Sequence, residues 1–158
     1  MPNTQTARNT RFAIRGPFIT FKSNPFVEGD ENALVHETDG LIIINNGTIE
    51  YAGKYSEGSA RLQDCPVENF PNHLITPGFI DSHVHYPQLP IIGAYGAQLI
   101  DWLNTYTFVA EQRYNDFDYA RQVSQIFLDE LARNGTTTAA VYCTVHPSSV
   151  DAFFQEDD

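Results

Sequence analysis

The stretch Pro77-Gly78-Phe79-Ile80-Asp81-Ser82-His83-Val84-His85 constrains this chain more than any other. It reads as a buried strand that ends in two histidines one residue apart. Side chains alternate faces along a strand, so His83 and His85 share a face. Two imidazoles on one face at a strand end can close on a single metal ion and leave room for ligands from other strands. From Leu74-Ile75 through His85 polar and apolar residues hardly alternate, the pattern of a strand covered on both faces in a parallel sheet.

Upstream, residues 11–70 read as all-β. Strand-like runs occupy Phe12 to Phe21, broken by Gly16-Pro17, then Leu34-Val35 and Leu41-Ile42-Ile43-Ile44. Asn46-Gly47 sits between two β-rich runs and predicts a hairpin, because a type I′ turn needs positive φ at both central residues. Downstream, Gln98 to Thr107 carries a helical pattern around Leu99, Trp102, Leu103 and Tyr106. Asp116 or Asp118 is placed to cap a longer helix whose stripe is Tyr119, Val123, Phe127 and Leu131, with Gly135 just past its end. Thr136 to Tyr142 reads as a second buried strand, and Ser148 or Ser149 as the cap of a last helix through Val150, Phe153 and Phe154. Strands joined through helices pair in parallel, so the expected class is α/β.

The totals narrow the function. At 158 residues, with 42% hydrophobic content, the chain can bury the core of one ordinary domain. A net charge of −11 repels phosphate backbones, which argues against nucleic-acid binding. Residues 1–10 are polar, without the apolar core of a secretory signal, and are expected to form a disordered tail. No apolar run approaches the roughly 20 residues that span a bilayer. Cys65 and Cys143 form no CxxC pair, consistent with reduced thiols and an expected cytoplasmic location.

Residues 76–85 resemble the first barrel strand of the amidohydrolase superfamily, metal-dependent hydrolases built on a distorted (β/α)8 TIM barrel. The hairpin around Asn46-Gly47 is similar to the small β-sandwich module that precedes the barrel in that superfamily. Four further segments resemble its guanine deaminase branch. These are His83-Val84-His85-Tyr86-Pro87-Gln88, Gly93-Ala94-Tyr95-Gly96, the run from Leu99-Ile100-Asp101-Trp102 to Thr107-Phe108, and Asn134-Gly135-Thr136-Thr137-Thr138. The resemblance divides the chain into a β module over 11–73 and the opening of a barrel over 74–158. Two strands fall short of a closed barrel, which takes about 250 residues.

The resemblance implies one zinc ion per subunit, with His83 and His85 as its first two ligands. It implies a purine substrate held by Gln88, whose amide offers both a donor and an acceptor to a base edge. His85, Tyr86 and Pro87 are the other expected substrate contacts. Trp102 and Tyr106 fit a packing role equally well, and His36, His73 and His146 read as surface or loop residues. The implied reaction converts guanine and water to xanthine and ammonia, in a family that is commonly homodimeric. Its remaining ligands and its proton-shuttling glutamate come from later strands. No catalytic residue is therefore expected among these 158, and the chain alone is expected to be an inactive fragment. Two alternatives share these features: a relative acting on another purine, a pyrimidine or a triazine, and a non-catalytic partner of a longer subunit.

Overall fold

The structure is a computed structural model that describes residues 11–156. The expected tail over 1–10 lies outside the described residues. The chain divides into two compact units, one ending at Pro77 and the other beginning at Gly78. The expected boundary fell at 73/74. Backbone hydrogen bonds between Ile75 and both Pro17 and Ile19 keep the segment before Pro77 with the first unit.

Strands β1 (Arg11–Phe21), β2 (Leu34–Asn45), β3 (Thr48–Lys54) and β4 (Val67–Asn69) of the first unit form one sheet in the order β3-β2-β1-β4. Among the described strands of this sheet the β1–β4 pair is parallel and the other two pairs are antiparallel. The β2–β3 turn is the expected hairpin, with Asn46 at φ 50° and Gly47 at φ 78°. Leu34-Val35 and Leu41 to Ile44 belong to one strand rather than two. The β1–β2 register shifts at Pro17, between Gly16 and Phe18, which a residue without an N–H tolerates at a bulge. Two short helices, α1 (Pro25–Glu28) and α2 (Asp30–Ala33), fill the β1–β2 connection, and Asn24 caps the first by accepting from the Phe26 amide. Helices of four residues are too short to show a periodicity in the sequence.

Alternation then separates the two sheet faces. Ala13, Leu41 and Ile43 are fully buried and pack against Tyr51, Leu62 and Val67, with Tyr55 supplied by helix α3 (Tyr55–Gly58). On the other face Ile14, Ile42, Ile44 and Ile49 line a groove of about 310 Å³.

The second unit pairs β5 (Phe79–His85) in parallel with β6 (Thr136–Tyr142), as the β-helix-β order predicts. Between them run a 3-10 turn over Tyr86–Ile91, helix α4 (Leu99–Trp102), a π turn over Leu103–Thr107 and helix α5 (Phe108–Glu111). The long helix α6 (Phe117–Arg133) and, after β6, helix α7 (Pro147–Glu156) complete it. Asp116 caps α6 through the amides of Asp118 and Tyr119, and Gly135 follows at φ 76°. Val123 and Phe127 of the expected stripe are buried with Tyr86, Tyr114, Ala120, Ala152 and Phe153, and Tyr119 and Leu131 pack against that core.

Contrary to expectation, neither strand is covered on both faces: Phe79 is 66% exposed and Ile80 75%. The described helices supply cover for part of a sheet that has two strands among the described residues, so apolar side chains remain in the open. The last helix begins at Pro147, earlier than a cap at Ser148 or Ser149 requires. Proline suits a first helical turn because its missing N–H would have no partner there. Ser149 lies inside the helix, where its hydroxyl donates to the His146 carbonyl.

Candidate metal and substrate site

The histidine pair stands where β5 ends. Pairing with β6 shifts between Asp81 and Val84, so Ser82 and His83 together face one residue of β6. Such a bulge re-aims side chains and frees an amide. The Asp81 carboxylate takes that amide, accepting from the His83 N–H at 3.0 Å. His83 and His85 then lie side by side with their Nε2 atoms 3.2 Å apart. Tetrahedral zinc with two nitrogens at 2.0–2.1 Å sets them about 3.3 Å apart, so this donor pair fits one ion. No group of three or more His, Cys, Asp or Glu side chains among the described residues is arranged to hold a metal.

A third ring belongs to the pair. Tyr142, in register with His85 at the end of β6, lies with its ring centroid 4.4 Å from that of His83 and 4.9 Å from that of His85. In the sequence Tyr142 reads as an ordinary strand residue. The available signal was its position: it is the seventh residue of β6 as His85 is of β5.

The 3-10 turn after His85 sorts the other expected contacts. Tyr86 and Pro87 are buried and do not border the cavity beside the histidines. The Tyr86 hydroxyl donates to the Ser149 carbonyl at 2.7 Å, and the Tyr114 hydroxyl donates to the Pro87 carbonyl at 3.1 Å. Burial pushes the Tyr86 phenol up to about 12 and raises that of Tyr114 as well. Gln88, next in the chain, does face the cavity, a space of about 440 Å³ also lined by His83, His85, Ile92, Ala94 and Trp102.

Trp102 closes one side of that space. Its indole N–H donates to the Ala94 carbonyl at 2.9 Å, and its side chain leaves no room for a Cβ on Gly96. The loop over 92–96 is thereby held by an aromatic side chain from α4. Tyr106 does not border the cavity. The Glu111 carboxyl is raised above its ordinary range by burial, against the opposing pull of His85 and His146. Burial also raises the Cys143 thiol, and both cysteines are free. His36 and His73 are exposed, whereas His146 is partly buried and its carbonyl anchors Ser149. No helix of the described residues is long and apolar enough to cross a membrane.

The profile of the amidohydrolase family matches residues 74–156. A guanine deaminase of Escherichia coli strain K12 is 46% identical over 154 residues, which is 95% of this chain and 35% of that protein. The solved E. coli guanine deaminase superposes with a TM-score of 0.85 at 45% identity, over 92% of this chain and 34% of its own. The guanine deaminase from Bradyrhizobium japonicum gives 0.86 at 36% identity, over 93% and 32%. The chain thus spans about a third of the length of the relatives it matches. The profile match takes in both strands that carry the His83, His85 and Tyr142 rings, and on that match the chain belongs to the amidohydrolase family.

Proposed function

We propose that this chain forms part of a zinc-dependent hydrolase that deaminates guanine, giving xanthine and ammonia. The carrying observation is the His83–His85 pair at 3.2 Å, opening on a cavity that also holds Gln88. Similarity to guanine deaminases supports the choice of substrate.

His83 and His85 would hold the metal through their Nε2 atoms. Zinc there supplies Lewis acidity, lowering the pKa of water toward about 7. Gln88 orients the base by donating and accepting with one amide. Tyr86 and Pro87 act on the substrate from behind, by fixing the turn that presents Gln88. Trp102 holds the wall opposite and restricts water around the reacting ring. In this reading the β module of residues 11–77 and the β5–β6 unit are pieces of a β-sandwich and a TIM barrel. The whole protein is cytoplasmic and homodimeric.

The further ligands and the glutamate that carries protons from water to the departing amine lie on residues outside this chain. Two imidazoles fall short of the three protein ligands a catalytic zinc keeps, so the 158 residues assayed alone turn over no guanine. The test is a chimera in which this chain replaces the matching third of the E. coli relative. Xanthine formation is expected, and His83→Ala abolishes it. Gln88→Ala lowers kcat/KM for guanine by about 10- to 100-fold, the loss of one or two hydrogen bonds to a base. A folded, zinc-loaded chimera that ignores guanine and accepts another aminated ring would overturn the substrate assignment.

A further inference from the structure

We propose that Tyr142 is a positioning residue for the histidine pair, holding both imidazoles at the separation that one metal ion requires. The inference rests on the metal-binding reading of His83 and His85 and extends it to a residue of the neighbouring strand. The phenol plane is 20° from that of His85, a stacked pair, and 37° from that of His83, a tilted one, so a single ring contacts both. Burial does not keep it there, because Tyr142 remains 48% exposed. Register does: the β5–β6 ladder sets Tyr142 opposite His85.

Stacking and metal binding use different parts of an imidazole. A metal takes the lone pair of nitrogen, which lies in the plane of the ring, whereas Tyr142 stacks on the face of His85 and meets His83 at a tilt. The two contacts do not compete. A histidine free to turn about its side-chain bonds must be ordered when an ion binds, and that ordering weakens affinity. Strand pairing with a stacked ring removes part of this cost beforehand, as other supports of ligating histidines do. The Tyr142 hydroxyl makes no hydrogen bond among the described residues, so the ring alone carries the effect.

The experiment is calorimetric zinc titration of the metal-stripped chimera with the E. coli relative, which supplies the ligands outside this chain, with the His83 and His85 ring signals followed by NMR. The wild type and Tyr142→Phe are expected to bind with equal affinity. Tyr142→Leu and Tyr142→Thr are expected to bind about tenfold more weakly, with unchanged circular dichroism. In the metal-free wild type the His85 ring protons should lie upfield of their positions in Tyr142→Leu. Leu or Thr variants that bind zinc as tightly as the wild type overturn the inference. So does a Phe variant as weak as Leu. A wild type that binds no better than His85→Ala overturns the metal-binding reading itself, and is recognisable because every variant then coincides.

Discussion

At the scale of single residues, the candidate site is held together mostly by side chains that do not face the cavity. Gln88 is presented by a turn whose preceding carbonyl, Pro87, accepts from the buried Tyr114 hydroxyl. Tyr114 stands 27 positions further along the chain, so no local pattern announces the contact. Tyr114→Phe keeps the ring and leaves that buried carbonyl without its donor, at a cost of about 1–3 kcal/mol. Denaturant unfolding followed by the fluorescence of Trp102 measures it, and an unchanged midpoint would show that the hydroxyl is dispensable. That His83 and His85 share a face was legible from their spacing, because alternation along a strand is a property of the backbone. The third ring, Tyr142, was not, because its place depends on which strand pairs with which and in what register.

Elements divide along the same line. The β2–β3 hairpin and the start of α6 are written locally: Asn46-Gly47 takes the two positive φ values the turn demands, and Asp116 satisfies two amides of the first helical turn. Asp116→Ala is therefore expected to cost about 1 kcal/mol, read as a fall in the thermal midpoint of the second unit, with Asp116→Ser retaining most of it. Where the chain breaks into short pieces, local reading loses its grip. The expected helix over 98–107 is a four-residue α segment followed by a π turn and a further α turn. A single π turn changes the residues per turn and so interrupts the apolar stripe on which the expectation rested. Burial of β5 and β6 was misjudged for a different reason. A continuous apolar run reports what a strand is suited to pack against, whereas exposure depends on what the other elements bring to it.

For the whole molecule, the two units are expected to weaken at opposite ends of the pH scale. In the first, hydrogen bonds from Arg15 and Arg11 hold the Asp39 and Glu50 carboxyls below their ordinary values. A depressed carboxylate adds stability above its unfolded pKa, about 4, and loses it as pH falls through the folded value. Both pairs are solvated, so the acid effect is small; Asp39→Asn should flatten the acid limb of a circular-dichroism titration. In the second unit Tyr86 has the opposite sign. Its phenol sits at about 12 against an ordinary 10.0, so the unfolded chain ionises first and stability falls as pH rises between them. The Trp102 fluorescence midpoint should drop across that window, and Tyr86→Phe should lessen the drop; an equal drop in the variant would assign the alkaline sensitivity elsewhere. By itself the sequence determined what short stretches of backbone decide: the paired histidines on one strand face, the hairpin turn, the cap and stripe of α6, and the parallel pairing implied by strands joined through helices. Only the tertiary structure decided that Tyr86 and Pro87 turn into the core while Gln88 meets the cavity, that Trp102 closes its wall, and that Tyr142 stacks on His85 and leans against His83. Those contacts join residues far apart in the chain, and strand register and helix packing bring them together without leaving a periodic trace in the sequence.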